Sequence, residues 1–230
     1  MLFDRILARV PQHLALSNSL FMKEMGSGEL SINKFERYLN ADEIYLKHYQ
    51  SALKTIAPRL DKKHQQTILN ISKAIYNEEI DRRQKYRVAH KPTFFRTPSP
   101  MATQNIVITN YTNFFQHNVN YEPVEIALAS LAACLKAYDD LGIYMTLNAI
   151  KENNRYAPCF DSYSKASFRK ATAEMIQLVN ETGEQTSARE EKMMGDAYIT
   201  SAEYEYQFLQ NIYTSSATPT HSQPVFAKVS

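Results

Sequence analysis

The chain predicts an all-α fold, a single-domain bundle of about seven helices. Three observations carry that reading. Its 230 residues include only five glycines, whereas β and α/β folds use glycine freely in tight turns. Apolar residues recur at steps of three and four along several long segments, the period of a helix face turned toward a core. Most of the prolines fall between those segments rather than inside them.

In chain order, the first helix is expected from about Phe3 to Met25, bent near Pro11 and stopped by the Gly26-Ser27-Gly28 turn. Ser31 is an N-cap for the second, about Ile32 to Ile56, which Pro58 closes. A third covers about Lys62 to Tyr86. HKPTFFRTPSP, residues 90–100, carries three prolines in eleven residues and reads as the one long loop. The fourth helix runs from about Ala102 to His117. Glu122-Pro123 opens the fifth, which reaches about Asn153. Residues 154–160, with Pro158, read as a loop. Asp161 or Ser162 starts the sixth, to about Glu181. The turn around Gly183 and Thr186 leads into the last, about Ser187 to Tyr213. The domain therefore spans 1–213, and the Ser/Thr/Pro-containing stretch 214–230, without periodicity, reads as a disordered tail.

Lysine and arginine number 26 against 24 acidic residues, a formal charge of +2. No basic stripe interleaved with aromatics stands out, so a nucleic-acid partner has little electrostatic support. No segment approaches the roughly 20 apolar residues of a membrane span, and no signal peptide is visible. The expected compartment is the cytoplasm. The two cysteines, Cys134 and Cys159, set neither a disulfide framework nor a Cys-x-x-Cys metal site. The six histidines show no ligand spacing and no Glu-x-x-His pair occurs, so no metal is expected.

Three of the helical stripes carry polar intrusions. The last helix presents Met194, Ala197, Tyr198, Ser201, Ala202, Glu205, Phe208, Leu209 and Ile212 on one face, with Glu205 its single carboxylate. The second presents Phe35, Tyr38, Leu39, Asp42, Tyr45, Leu46, Tyr49, Leu53 and Ile56, and Asp42 interrupts it in the same way. The fifth presents Val124, Ala127, Leu128, Leu131, Cys134, Leu135, Tyr138, Leu141 and Met145, with a thiol and a tyrosine one turn apart. A buried cysteine is ordinarily a small hydrophobe, and a lone inward carboxylate is often a paired structural element. Two such carboxylates are costly to bury, and carboxylates in clefts suit acid–base chemistry. Spacing alone leaves both accounts open and does not bring the three residues to one point.

Four blocks, in order, resemble the TenA family, the thiaminase II enzymes with the haem-oxygenase-like helical fold. GSGELSINKFERYLNADEIYL is similar to the family's GxL…FxxYLxQDxxYL, YEPVEIALASLAACLKAYDDLG to ALLPCxWxYxEIG, YAPCFDSYSKASF to YxxWIxxYSSxxF, and SAEYEYQFLQNIY to YExxFWDxAY. The resemblance runs from about Phe21 to Tyr213. It implies that Asp42 binds an aminopyrimidine ring, that Cys134 is the nucleophile and that Glu205 is the acid–base group. It also implies pocket roles for Tyr45, Tyr111, Tyr138 and Tyr163. The family's glutamine before the aspartate is Ala41 here, and its tryptophans are Leu135 or Lys136, Phe160 and Leu209; the chain has no tryptophan.

The implied reaction is hydrolysis at the methylene carbon on a 4-amino-2-methylpyrimidine, from an aminomethylpyrimidine or thiamine, giving the hydroxymethyl product for thiamine salvage. The residue types suit it. A thiolate can add to an electron-poor pyrimidine and expel the leaving group. A carboxylate can fix the ring's orientation, and a second in an apolar pocket can exchange protons near neutrality. No metal or organic cofactor is required, and the resemblance implies a homotetramer. An oxidase on the same fold, and a non-catalytic pyrimidine-binding or regulatory protein, are the alternatives.

Overall fold

The computed structural model describes residues 1–89 and 105–215, the side chains of 78–89 excepted. The 90–100 loop and all of the tail beyond Ser215 lie outside the described residues. Those described form nine α-helices and no strand: α1 (Leu2–Leu7), α2 (Leu20–Ser27), α3 (Ile32–Ile56), α4 (Lys62–Ala89), α5 (Ile106–Tyr121), α6 (Val124–Asn148), α7 (Ala157–Tyr163), α8 (Ala166–Thr182) and α9 (Ala188–Thr214). None of the described helices is long and apolar enough to cross a membrane.

α3 and α9 match expectation closely: Pro58 follows the end of α3, although Ser31 at its start makes no side-chain cap bond. α9 opens on a capping box in which Ser187 and Glu190 satisfy each other's backbone N–H groups. α5 runs past His117 to Tyr121 and stops because Glu122, ahead of Pro123, is driven out of helical geometry.

Four expectations about helix boundaries fail. The first helix is not bent but divided into α1, two 3-10 turns and α2, since Pro11 supplies no N–H and excludes helical geometry before it. α2 then has its own N-cap, Ser19, which accepts from the Met22 N–H at 3.2 Å. The fifth helix ends at Asn148 rather than Asn153. Beyond it the chain serves the end of α2: the Ile150 N–H donates to the Gly26 carbonyl (2.9 Å), and the buried Asn154 amide donates to Met25 and Gly26 (2.9 and 3.1 Å). The Gly26 carbonyl would otherwise be orphaned, whereas that of Met25 also accepts from the Gly28 N–H. Residues 154–160 are not all loop, because Pro158 sits in the first turn of α7, where its missing N–H costs nothing. α8 begins only at Ala166.

α6 is the central element, packed against α3, α5, α7, α8 and α9. Every residue from Ile126 to Leu135 is buried, so its expected stripe understates a helix enclosed on all sides. Close approach of α7 depends on Gly142. A Cβ there would lie 2.8 Å from the backbone carbon and oxygen of Tyr163. That contact sets α7 against α6 and brings the Tyr138 and Tyr163 rings to 4.8 Å.

Candidate active site

On α9 every residue of the expected stripe is buried, and Glu205 is 2% exposed. Its carboxylate is not alone. Oε1 accepts from the Tyr45 hydroxyl of α3 at 3.0 Å and from the Tyr111 hydroxyl of α5 at 2.9 Å. The Cys134 thiol of α6 interacts with the same carboxylate and with Tyr45.

Desolvation pushes the Glu205 carboxyl up to about 7. The hydrogen bonds from Tyr111 and Tyr45 oppose that rise by favouring the ionised form, as does the interaction with the Cys134 thiol, and the Asp42 charge adds to it. Burial first, then the Glu205 charge, raises the Cys134 thiol well above its ordinary value, so the resting group is a thiol and needs a base beside it. Burial likewise raises Tyr45, Tyr111 and Tyr138, which remain protonated donors at neutral pH.

Beside this cluster lies a small cavity, about 40 Å³ measured as space for the centre of a water molecule. Asp42, Tyr45, Cys134, Tyr138 and Tyr163 line it, joined by Tyr38 and Tyr49. Leu46, Ile75, Leu135, Ser162 and Phe168 complete the wall. Leu46, Ile75 and Phe168 are only half-buried, which explains why Leu46 alone departs from full burial in the central part of the α3 stripe. The Tyr138 hydroxyl is buried and has no hydrogen-bond partner among the described residues. Such a group costs about 1–3 kcal/mol, and a ligand atom able to accept its proton removes that cost. Tyr163 shares a 2.8 Å hydrogen bond with the Tyr38 hydroxyl.

The seven residues singled out in sequence thus come from five helices to one region. Glu205 and Tyr111 are not part of the cavity wall: Glu205 reaches it through Tyr45 and Cys134, and Tyr111 through Glu205. Asp42 is 4% exposed and adds charge felt by Tyr138, Cys134 and Glu205. Sequence reasoning assigned no site role to Tyr38, Tyr49 or Phe115. Tyr38 and Tyr49 were on the α3 stripe, where an inward tyrosine looks like any core aromatic. Phe115, one turn beyond Tyr111, meets the Tyr45, Tyr49 and Tyr111 rings edge-on at 5.4–6.0 Å.

Of the two candidates for one lost tryptophan, Leu135 lines the cavity, while Lys136 turns away to pair with Asp140. Counted from Tyr156, the tryptophan of the third block falls on Cys159, one position before Phe160; both are buried. Leu209 is fully buried. Among the described residues no group of three or more His, Cys, Asp or Glu side chains is placed to hold a metal ion.

Comparison with known proteins gives a consistent picture. The model of the TENA/THI-4/PQQC family matches residues 18–215. A protein from Halalkalibacterium halodurans named aminopyrimidine aminohydrolase is 21% identical over 201 residues, covering 85% of this chain and 88% of its own length. The thiamine biosynthesis multifunctional protein ThiED of Corynebacterium efficiens is 23% identical over 193 residues. That match covers 83% of this chain but only 25% of the larger relative, so the chain spans about a quarter of it. A TenA homologue from P. horikoshii OT3 superposes with a TM-score of 0.77 at 17% identity, covering 93% of this chain and 98% of its own, a likeness of fold.

Proposed function

The chain belongs to the TENA/THI-4/PQQC family, and from that premise we propose that it is a thiamine-salvage hydrolase of the aminopyrimidine aminohydrolase, or thiaminase II, type. The observation that carries the reading is the meeting of a buried carboxylate of pKa about 7 with a thiol at the wall of a cavity that also holds Asp42. A carboxyl at that value exists in both forms near neutrality, which suits a group that must take and return protons.

Asp42 fixes the 4-amino-2-methylpyrimidine ring through its exocyclic amine or a protonated ring nitrogen. Cys134 passes its proton to ionised Glu205, and the thiolate adds to a ring carbon. Protonated Glu205 delivers that proton to the amine as the methylene C–N bond breaks. Water then adds to the methylene carbon and gives a proton to Glu205. The C–S bond breaks with its electron pair returning to sulfur, Glu205 gives its proton back to the Cys134 thiolate, and the hydroxymethylpyrimidine departs with its ring restored. Tyr138 donates its unpartnered hydroxyl to the ring, and the Tyr45 and Tyr163 rings wall it. No cofactor enters these steps.

The reduced cytoplasm suits two free, buried thiols. The homotetramer would cover the exposed Ile143 and Leu147 near the end of α6 and Ile150 just beyond it; light scattering at four chain masses supports it, and one chain mass overturns it.

The test is incubation with 4-amino-5-aminomethyl-2-methylpyrimidine. Hydroxymethylpyrimidine and ammonia form in multiple turnovers, and Cys134→Ser abolishes them while substrate still raises the melting temperature. Absence of product from the wild type refutes the activity. Full turnover by Cys134→Ser refutes the nucleophile.

A further inference from the structure

α3 carries the ring-binding aspartate and α6 the thiol, so the reaction depends on how these two helices are registered along each other. Tyr45 of α3 meets the Cys134 thiol itself, and a second α3 side chain reaches the backbone of α6. Tyr49, 1% exposed, donates its hydroxyl to the Leu131 carbonyl at 2.6 Å. Leu131 lies three residues before Cys134, on the same face of α6. The Tyr49 ring stacks on Tyr45 (5.8 Å, 27°) and meets Phe115 edge-on (6.0 Å, 88°). Tyr45 in turn donates to Glu205. A single residue therefore holds the base through its ring and the nucleophile's helix through its hydroxyl.

We propose that Tyr49 is a positioning residue, setting the Cys134 thiol against Glu205 by pinning α6 to α3 at Leu131. This rests on the hydrolase reading above but adds a residue and a role to it. Tyr49 borders the cavity, yet its hydroxyl is committed to the backbone and presents only a ring face to a ligand. In this it differs from Tyr138, whose hydroxyl has no partner among the described residues. The Leu131 carbonyl also accepts the helix's own bond from residue 135 by the ordinary pattern of α6. Removing the Tyr49 hydroxyl thus orphans no backbone group and leaves the rings in place. What it removes is the register constraint, and displacements near 1 Å can cost large factors in rate.

Tyr49→Phe is the test, read in three ways. The turnover number falls by about tenfold or more while KM stays within about twofold. Alkylation of Cys134 by iodoacetamide at pH 8, followed by mass spectrometry, slows by about threefold or more, whereas Cys159 reacts as in the wild type. The melting temperature changes by no more than about 4 °C. An unchanged turnover number with unchanged Cys134 alkylation overturns the proposal. So does a lower melting temperature with both cysteines reacting faster, the signature of a merely structural role. Alkylation needs no substrate, so it still decides the role of Tyr49 if the protein proves inactive on aminopyrimidines.

Discussion

Replacing Glu205 by glutamine should remove the proposed activity and at the same time stabilise the protein at alkaline pH. The carboxyl sits at about 7 in the fold against an ordinary value of 4.5, chiefly because burial disfavours its charge. The folded state therefore keeps a proton that the unfolded chain has already lost between those values. A group raised in this way contributes stability that is fully present below about 4.5 and lost as the pH climbs through about 7. At about 1.4 kcal/mol per pH unit, the window corresponds to about 3 kcal/mol. Glutamine has nearly the same shape, keeps an oxygen for the Tyr45 and Tyr111 hydroxyls and does not titrate. The melting temperature of the variant relative to wild type should therefore climb between pH 4.5 and 7 and level off beyond. For a domain of this size the rise is about 6–12 °C. Thermal melts of both proteins at half-unit intervals from pH 4.5 to 8.5 measure it. A difference that stays constant with pH, or that shrinks as pH rises, refutes the buried, proton-retaining carboxyl.

Two further outcomes follow from the same geometry. Tyr111→Phe removes a 2.9 Å hydrogen bond that favours ionised Glu205, so the acid limb of kcat/KM for aminopyrimidine hydrolysis moves up by about one pH unit; an unmoved limb would mean that Glu205 is not the titrating base. Gly142→Ala drives a Cβ to within 2.8 Å of the Tyr163 backbone, which cannot swing aside as a side-chain tip can. It should cost about 1–3 kcal/mol, read as a lower urea midpoint, and a midpoint equal to wild type contradicts the close packing of α6 on α7.

The sequence by itself determined the all-helical class, the burial of the α3 and α9 faces and the chemical oddity of Asp42, Cys134 and Glu205. Helical period is written locally, and a carboxylate on an apolar stripe needs no partner to be noticed. Helix ends were legible where a side chain caps its own turn, as at Ser187 and Glu190. They were not where the deciding partner is distant. α6 stops short where the Gly26 carbonyl at the end of α2 takes the Ile150 N–H and the Asn154 side chain, more than 120 residues away. The same limit governed the site. That Tyr45 and Tyr111 donate to one oxygen of Glu205, that Tyr138 is left without a partner and that Tyr49 reaches the backbone of α6 all depend on helices separated by 80 residues or more. A tyrosine's position on a stripe says that its ring is buried, but only the neighbouring helix decides what its hydroxyl meets. The tertiary structure alone therefore turned inward residues into a carboxyl raised to about 7, a thiol held protonated beside it and a tyrosine hydroxyl bonded across to α6.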